Sequence, residues 1–185
     1  MLEVTVVVGN PKPKSRTAQI ATCVVEHLCA ADTYSVTLID LADHSDEIFV
    51  WPSERMAKLN ERVAASDLVI FASPTYKGTY TGLLKAFLDR YPNLGLAGVV
   101  AIPVMTGADA RHALAPEVSL RPLLVELGAV VPTHGLYFVM DQIDGVDEVV
   151  SAWARECALH VDLHLKTVID AINTSSAESA SEAAS

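Results

Sequence analysis

The sequence predicts an α/β fold built on one doubly wound, five-stranded parallel sheet in the order 2-1-3-4-5. Three observations lead there. Five short apolar runs rich in Val, Ile and Leu alternate with segments whose apolar residues recur at helical spacing. The run Leu68-Val69-Ile70-Phe71-Ala72 is apolar at every position, as a strand covered on both faces must be. Small, hydroxyl-bearing loops follow the first, third and fourth runs, at the strand ends where an open α/β sheet forms its ligand crevice.

In chain order, the first strand covers about residues 3–8, on the β-branched run Val4-Thr5-Val6-Val7-Val8. A basic loop, Gly9-Asn10-Pro11-Lys12-Pro13-Lys14-Ser15-Arg16-Thr17, leads into a helix from about Ser15 to Ala30, with Ile20, Val24 and Leu28 on its apolar face. Tyr34 to Leu41 reads as the second strand. Pro52 opens a helix over about 52–65, with Trp51 beside it as a packing residue. Asp67 to Ala72 is the third strand, and its loop, Ser73 to Gly78, feeds a helix over about 79–90. Val99 to Val104 is the fourth strand. Its loop, Met105-Thr106-Gly107-Ala108-Asp109, opens a helix over about 110–127 that is interrupted by Pro116 and Pro122 and ends at the C-cap Gly128. The fifth strand falls within about 129–139 and the last helix within about 146–172. The Ser/Ala/Glu stretch 173–185 has nothing to bury and reads as a disordered tail after a single domain, 1–172.

The basic loop is the most informative stretch. A strand, a tight turn and a helix start present free backbone N–H groups and the positive end of the helix dipole, which favour a phosphate. Lys12, Lys14 and Arg16 add cations to a chain whose net charge is −10. A P-loop is excluded because its second glycine is absent before the Lys-Ser pair, and a dinucleotide fingerprint because only Gly9 is present.

The whole chain of 185 residues carries 13 basic and 23 acidic side chains, which argues against a nucleic-acid surface. No apolar run is long enough to span a membrane, and the N-terminus lacks a signal-peptide pattern. Cys23, Cys29 and Cys157 are odd in number and lie in apolar helical patterns, which fits reduced core thiols and a cytoplasmic location. His160 and His164, with Glu156 a turn earlier, read as a polar helix face. Asp141, Asp144, Asp147 and Glu148 lack calcium-loop spacing and read as a solvated loop and helix start. No metal ligand is expected.

The loop ending Ser15-Arg16-Thr17 resembles the phosphate loop of the NAD(P)H-dependent FMN reductases, a flavodoxin-like family. Ser73 to Lys85 is similar to that family's second signature, and Met105 to His112 resembles its third. The likeness covers about residues 2–140 and is nearest to the flavin reductases that serve sulfonate monooxygenases. It implies a flavodoxin-like three-layer sandwich, FMN with NADPH or NADH, and hydride transfer to FMN and on to a second acceptor. It also implies a homodimer or homotetramer, for which the helix over about 79–90, with Phe87 and Leu88, is a contact face.

Carried over by residue, Ser15, Arg16 and Thr17 hold the FMN phosphate, with Asn10 close by. Pro74, Thr75, Tyr76, Lys77 and Gly78 border the isoalloxazine, and Thr106, Gly107, Ala108 and Asp109 flank its other side. The cofactors carry the chemistry, so no side chain is named as catalytic.

Two departures stand out. Ala108-Asp109 replaces a glycine and a small hydroxyl residue, and Val118 stands where the sulfonate reductases bear an inserted Tyr or other special residue. The second implies an ordinary helix over 110–127 and an FMN that stays bound through turnover, which puts a monooxygenase partner in question. The alternatives are a quinone, azo-dye or metal-ion reductase using the same FMN, or a flavodoxin-like electron carrier.

Overall fold

The computed structural model describes the backbone of residues 1–182 and the side chains of residues 1–167. The strands are β1 (Leu2–Val8), β2 (Tyr34–Asp40), β3 (Leu68–Pro74), β4 (Val100–Gly107) and β5 (Leu136–Val139). They form one sheet in the order β2-β1-β3-β4-β5, and every pairing is parallel. The helices are α1 (Arg16–Leu28), α2 (Glu54–Ala64), α3 (Gly82–Leu88), α4 (Arg121–Glu126) and α5 (Val146–Glu182).

Alternation along the central strands builds two cores. Val6, Ile70 and Ile102 lie in register and pack with Ile20 and Val24 of α1 and with Trp153, Cys157 and Val161 of α5. Val7, Val69 and Phe71 face the other way, against Met56, Leu84, Phe87, Leu120 and Leu124. Each fully buried Ile, Leu or Phe contributes roughly 1.5–3 kcal/mol of transfer free energy, which is why β3 reads as an unbroken apolar run. The expected three-layer sandwich and strand order are observed.

Within the folded core and its loops, four expectations need correction. Phe87 and Leu88 are fully buried in the second core and present no contact face. Trp51 is 63% exposed, with the Arg90 guanidinium stacked 4.1 Å from its ring centre rather than a core around it. The fifth strand is only the four residues of β5, although Val130 makes an isolated bridge to Val100.

The fourth correction concerns residues 110–127, which are not one helix. Ala110–His112 is a 3-10 turn, Pro116–Leu120 a π turn, and only Arg121–Glu126 is α-helical. The Arg121 amide bonds the Pro116 carbonyl five residues back. Pro122 has no N–H to return to Val118, and its ring would strike that carbonyl in an α-helix. A widened turn relieves the clash. Tertiary bonds hold the turn in place. Glu117 accepts from the Gly135 amide, and Arg121 donates to the carbonyls of Thr133 and Val131.

The backbone of α5 continues through Glu182, beyond the expected end near residue 172. Ala and Glu in that stretch are good helix formers. Residues 183–185, the rest of the expected tail, lie outside the described residues.

Among the described residues, no helix is long and apolar enough to cross a membrane. All three cysteines are free. Burial and the neighbouring Asp147 carboxylate push the Cys23 thiol up to about 12, and burial pushes Cys29 up to about 11.

Candidate active site

Three loops meet above the C-terminal edge of the sheet. The first leaves β1 at Gly9, whose amide donates to the Ala72 carbonyl of β3 at 2.7 Å. The Gly9 carbonyl accepts from Thr81 Oγ1 at 2.5 Å. A Cβ there would lie 2.5 Å from Leu84 Cβ, so only glycine lets α3 approach this closely. Lys14 adopts a left-handed conformation, φ +51°, and its amide donates to Asp40 Oδ2 at the end of β2. Asp40 thus pins the loop from the neighbouring strand.

Ser15 is the N-cap of α1, its Oγ accepting from the Ala18 amide at 3.2 Å. Thr17 is 2% exposed and joins two loops, bonding Asn10 Nδ2 and Thr106 Oγ1 at 3.1 Å each. Lys12, Lys14 and Arg16 are exposed, and none belongs to an ion pair among the described residues. Three uncompensated cations at a helix start, in a net-acidic chain, form an anion site.

The second loop is clasped to the third where the Thr75 amide donates to the Thr106 carbonyl at 2.7 Å. Lys77 and Gly78 both have positive φ, +55° and +86°. They form a type I′ turn between Tyr76 and Thr79. In the third loop, Asp109 Oδ1 accepts from the Arg111 amide, and Oδ2 accepts from its guanidinium at 3.0 and 2.6 Å. These bonds hold the Asp109 carboxyl down at about 2. Tyr137 donates to the Asp109 carbonyl. A Cβ on Gly107 would lie 1.8 Å from the Tyr137 oxygen, so glycine is required.

The loops enclose a cleft of about 620 Å³. Asn10, Ser15, Arg16, Thr17, Pro74, Thr75, Tyr76, Thr106, Gly107 and Ala108 all line it, so most of the expected site residues come together. Lys77, Gly78 and Asp109 do not line it. Gly78 borders a neighbouring hollow of about 420 Å³ with Arg111, His112, Leu114 and Val118, where a Cβ on it would lie 3.7 Å from His112 Nε2. Asp109 is spent on its own loop, as the cap and partner of Arg111.

Met140 and Asp141 also line the cleft and were not expected there. Their signal was positional, since they follow the fifth strand at the sheet edge where the other loops end.

One polar atom marks what the cleft can receive. Thr75 Oγ1 is buried and has no hydrogen-bond partner among the described residues, and such a hydroxyl calls for a ligand. The donor set fits FMN: free cations and a helix start for its phosphate, loop backbone and Thr75 for its polar ring edge. The volume also falls within the roughly 300–1,000 Å³ of small-molecule sites.

A family model described as NADPH-dependent FMN reductase matches residues 2–143. An FMN reductase (NADPH) of Escherichia coli strain K12 is 30% identical over 138 residues, covering 74% of this chain and 72% of that protein. The NADH-dependent FMN reductase SfnF of Pseudomonas putida is 30% identical over 151 residues, covering 78% and 81%. The crystal structure of an NADH:FMN oxidoreductase in apo form superposes with a TM-score of 0.77 at 28% identity, covering 90% of each chain.

Proposed function

The chain belongs to the NADPH-dependent FMN reductase family, and from that premise we propose an NAD(P)H-dependent FMN reductase whose FMN enters and leaves as a substrate. The observation that carries the reading is the convergence of Lys12, Lys14 and Arg16 with the Thr75 hydroxyl on one cleft, none of them with a partner side chain among the described residues. The flavin supplies the redox chemistry, taking a hydride from the nicotinamide and passing the electrons on. The chain's own residues bind and orient. Ser15 to Thr17 and the neighbouring lysines hold the phosphate end, Pro74 to Tyr76 border one side of the ring, and Thr106 to Ala108 the other. Stacking the nicotinamide over the ring then needs no acid or base from the protein.

The held flavin expected from an ordinary helix over 110–127 loses its premise, because that segment is split into a 3-10 turn, a π turn and a short α-helix. Leu114 and Val118 on it are 70% and 68% exposed. The cleft rim at Lys12, Pro13, Lys14 and Tyr76 is exposed as well. A flavin gripped by its phosphate and covered by no packed lid can exchange. Reduced FMN would then go to a separate acceptor, such as a flavin-dependent monooxygenase in the cytoplasm. A homodimer or homotetramer is part of the proposal, with Leu114, Val118 and Val125 as the exposed apolar residues for the contact.

Steady-state kinetics with NADPH and NADH tests the mode. Protein colourless as purified, with intersecting double-reciprocal lines for nicotinamide and FMN, is the expected result. A yellow protein with parallel lines would restore bound-FMN reduction of a quinone, azo dye or metal ion. A yellow protein inert to both nicotinamides would make it an electron carrier.

A further inference from the structure

On the face of the sheet that carries α1 and α5, away from the cleft lining, two elements bring three ligand-type side chains together. Cys23 and His27 are one turn apart on α1, and Asp147 lies in the first turn of α5. Asp147 Oδ1 is 3.5 Å from Cys23 Sγ and 3.4 Å from His27 Nε2. All three donor atoms fall within 4.8 Å of one another. From this juxtaposition we infer that Cys23, His27 and Asp147 form a three-ligand site for a thiophilic divalent cation, with Zn²⁺ the best fit.

The distances carry the inference. A tetrahedral ion with bonds of about 2.0–2.3 Å sets neighbouring donor atoms about 3.3–3.8 Å apart. Two of the three edges already have that length. The third, between Cys23 Sγ and His27 Nε2, is within 4.8 Å and closes by a small movement of His27, whose side chain is 30% exposed, with the 82% exposed Asp147 free to follow. Thiolate, imidazole and carboxylate together select zinc and its neighbours over magnesium or calcium. The ordinary role of Asp147, a carboxylate at a helix N-terminus, accounts for that residue alone. It does not account for a thiol and an imidazole directed at the same oxygen.

Access is also present. His27 and Asp147 open onto a groove of about 330 Å³ with Glu148, Ser151 and Arg155, where the Arg155 guanidinium donates to Ser151 Oγ. Binding replaces the S–H bond of Cys23 by a metal–sulfur bond and releases the proton to the buffer, with water completing the fourth position. The ion would tie α1, whose N-terminus carries Ser15 to Thr17, to the start of α5, which follows Met140 and Asp141 of the cleft. It would act as a clamp between the phosphate helix and the last segment of the cleft wall, outside the redox chemistry.

The test uses the full chain after chelation, titrated with Co²⁺ as a spectroscopic probe and then with Zn²⁺ by calorimetry. One Co²⁺ per chain, with a thiolate-to-cobalt charge-transfer band, is expected, and one equivalent of Zn²⁺ should abolish the band. Cys23→Ser should remove the band. His27→Gln and Asp147→Asn, both at accessible positions, should weaken Zn²⁺ by more than about tenfold each while moving the metal-free melting temperature by no more than a few degrees. Zn²⁺ should raise the melting temperature of the parent chain and of Cys29→Ser, but not of Cys23→Ser. Absence of a charge-transfer band overturns the site. So does a band that survives Cys23→Ser, or one lost instead with Cys29→Ser, Cys157→Ser or His160→Gln.

Discussion

Arg16→Gln isolates the phosphate grip from everything else the first loop does. The cap of α1 is Ser15, and Arg16 is exposed and, among the described residues, makes no ion pair. Its loss should therefore leave the melting temperature unchanged. A hydrogen bond to a charged partner contributes roughly 1.5–3 kcal/mol, so FMN should bind about 10- to 150-fold more weakly. Ser15→Ala makes the comparison instructive, because Ser15 Oγ also caps α1 at Ala18. Losing that cap costs about 1 kcal/mol, or roughly 2–4 °C in a domain of this size, on top of any loss in binding. The assay is quenching of flavin fluorescence, run with FMN and with riboflavin, which lacks the phosphate. Arg16→Gln should weaken FMN and leave riboflavin unchanged. Equal losses for both flavins, or none for either, would refute the placement of the phosphate on this helix start.

Thr75→Val removes a hydroxyl that has no partner among the described residues. Stability should hold or rise slightly, while FMN and riboflavin should both weaken by roughly two- to twelvefold, the worth of one neutral hydrogen bond; unchanged affinity for both would take Thr75 off the ring edge. Cys23 and Cys29, raised to about 12 and about 11 from a usual 9.0, should resist thiol reagents at about pH 8 in the metal-free native chain and react at once in urea. The folded state keeps these protons after the unfolded state has released its own, so that stabilisation is full below pH 9 and is lost as pH climbs through the folded values. A melting temperature flat up to about pH 11 would contradict this. Truncation after Asn173 should keep both melting temperature and reductase activity, the proposal that the domain ends near residue 172. A clear fall in either would mean that the end of α5 is needed.

The parts of the fold that were legible in the sequence were those decided by local burial. β3 and β4 are covered on both faces and read as continuous apolar runs. The loops at their ends read as ligand loops because an open parallel sheet leaves its crevice there. The π turn was not legible. Pro116 and Pro122 announce an interruption, but its form depends on Glu117 reaching Gly135 and Arg121 reaching Thr133. Those partners lie on a later segment of the chain. The burial of Phe87 and Leu88 escaped for a related reason, since which helix face meets the sheet is a tertiary outcome, and the exposed place of Trp51, in a bend before α2, is set by the distant Arg90. Asp147 was read as solvated because its partners, Cys23 and His27, lie more than a hundred residues earlier.

The anchoring of the first loop bears on how such a protein can be diversified. Gly9 is bonded to β3 and α3, Lys14 to the end of β2, and Thr17 to the third loop. Between these fixed points, Pro11, Lys12 and Pro13 are exposed. Only the Lys12 amide in that stretch is held by a side chain, bonding Asn10 within the same loop. Length and charge can therefore be exchanged over these three residues as a cassette, retuning anion preference while the ring-facing walls stay put. A change at position 9 or 17 is of a different kind: a side chain at Gly9 strikes Leu84, and losing the Thr17 hydroxyl breaks its bonds to Asn10 and Thr106, so either passes into a neighbouring element and alters the whole crevice at once.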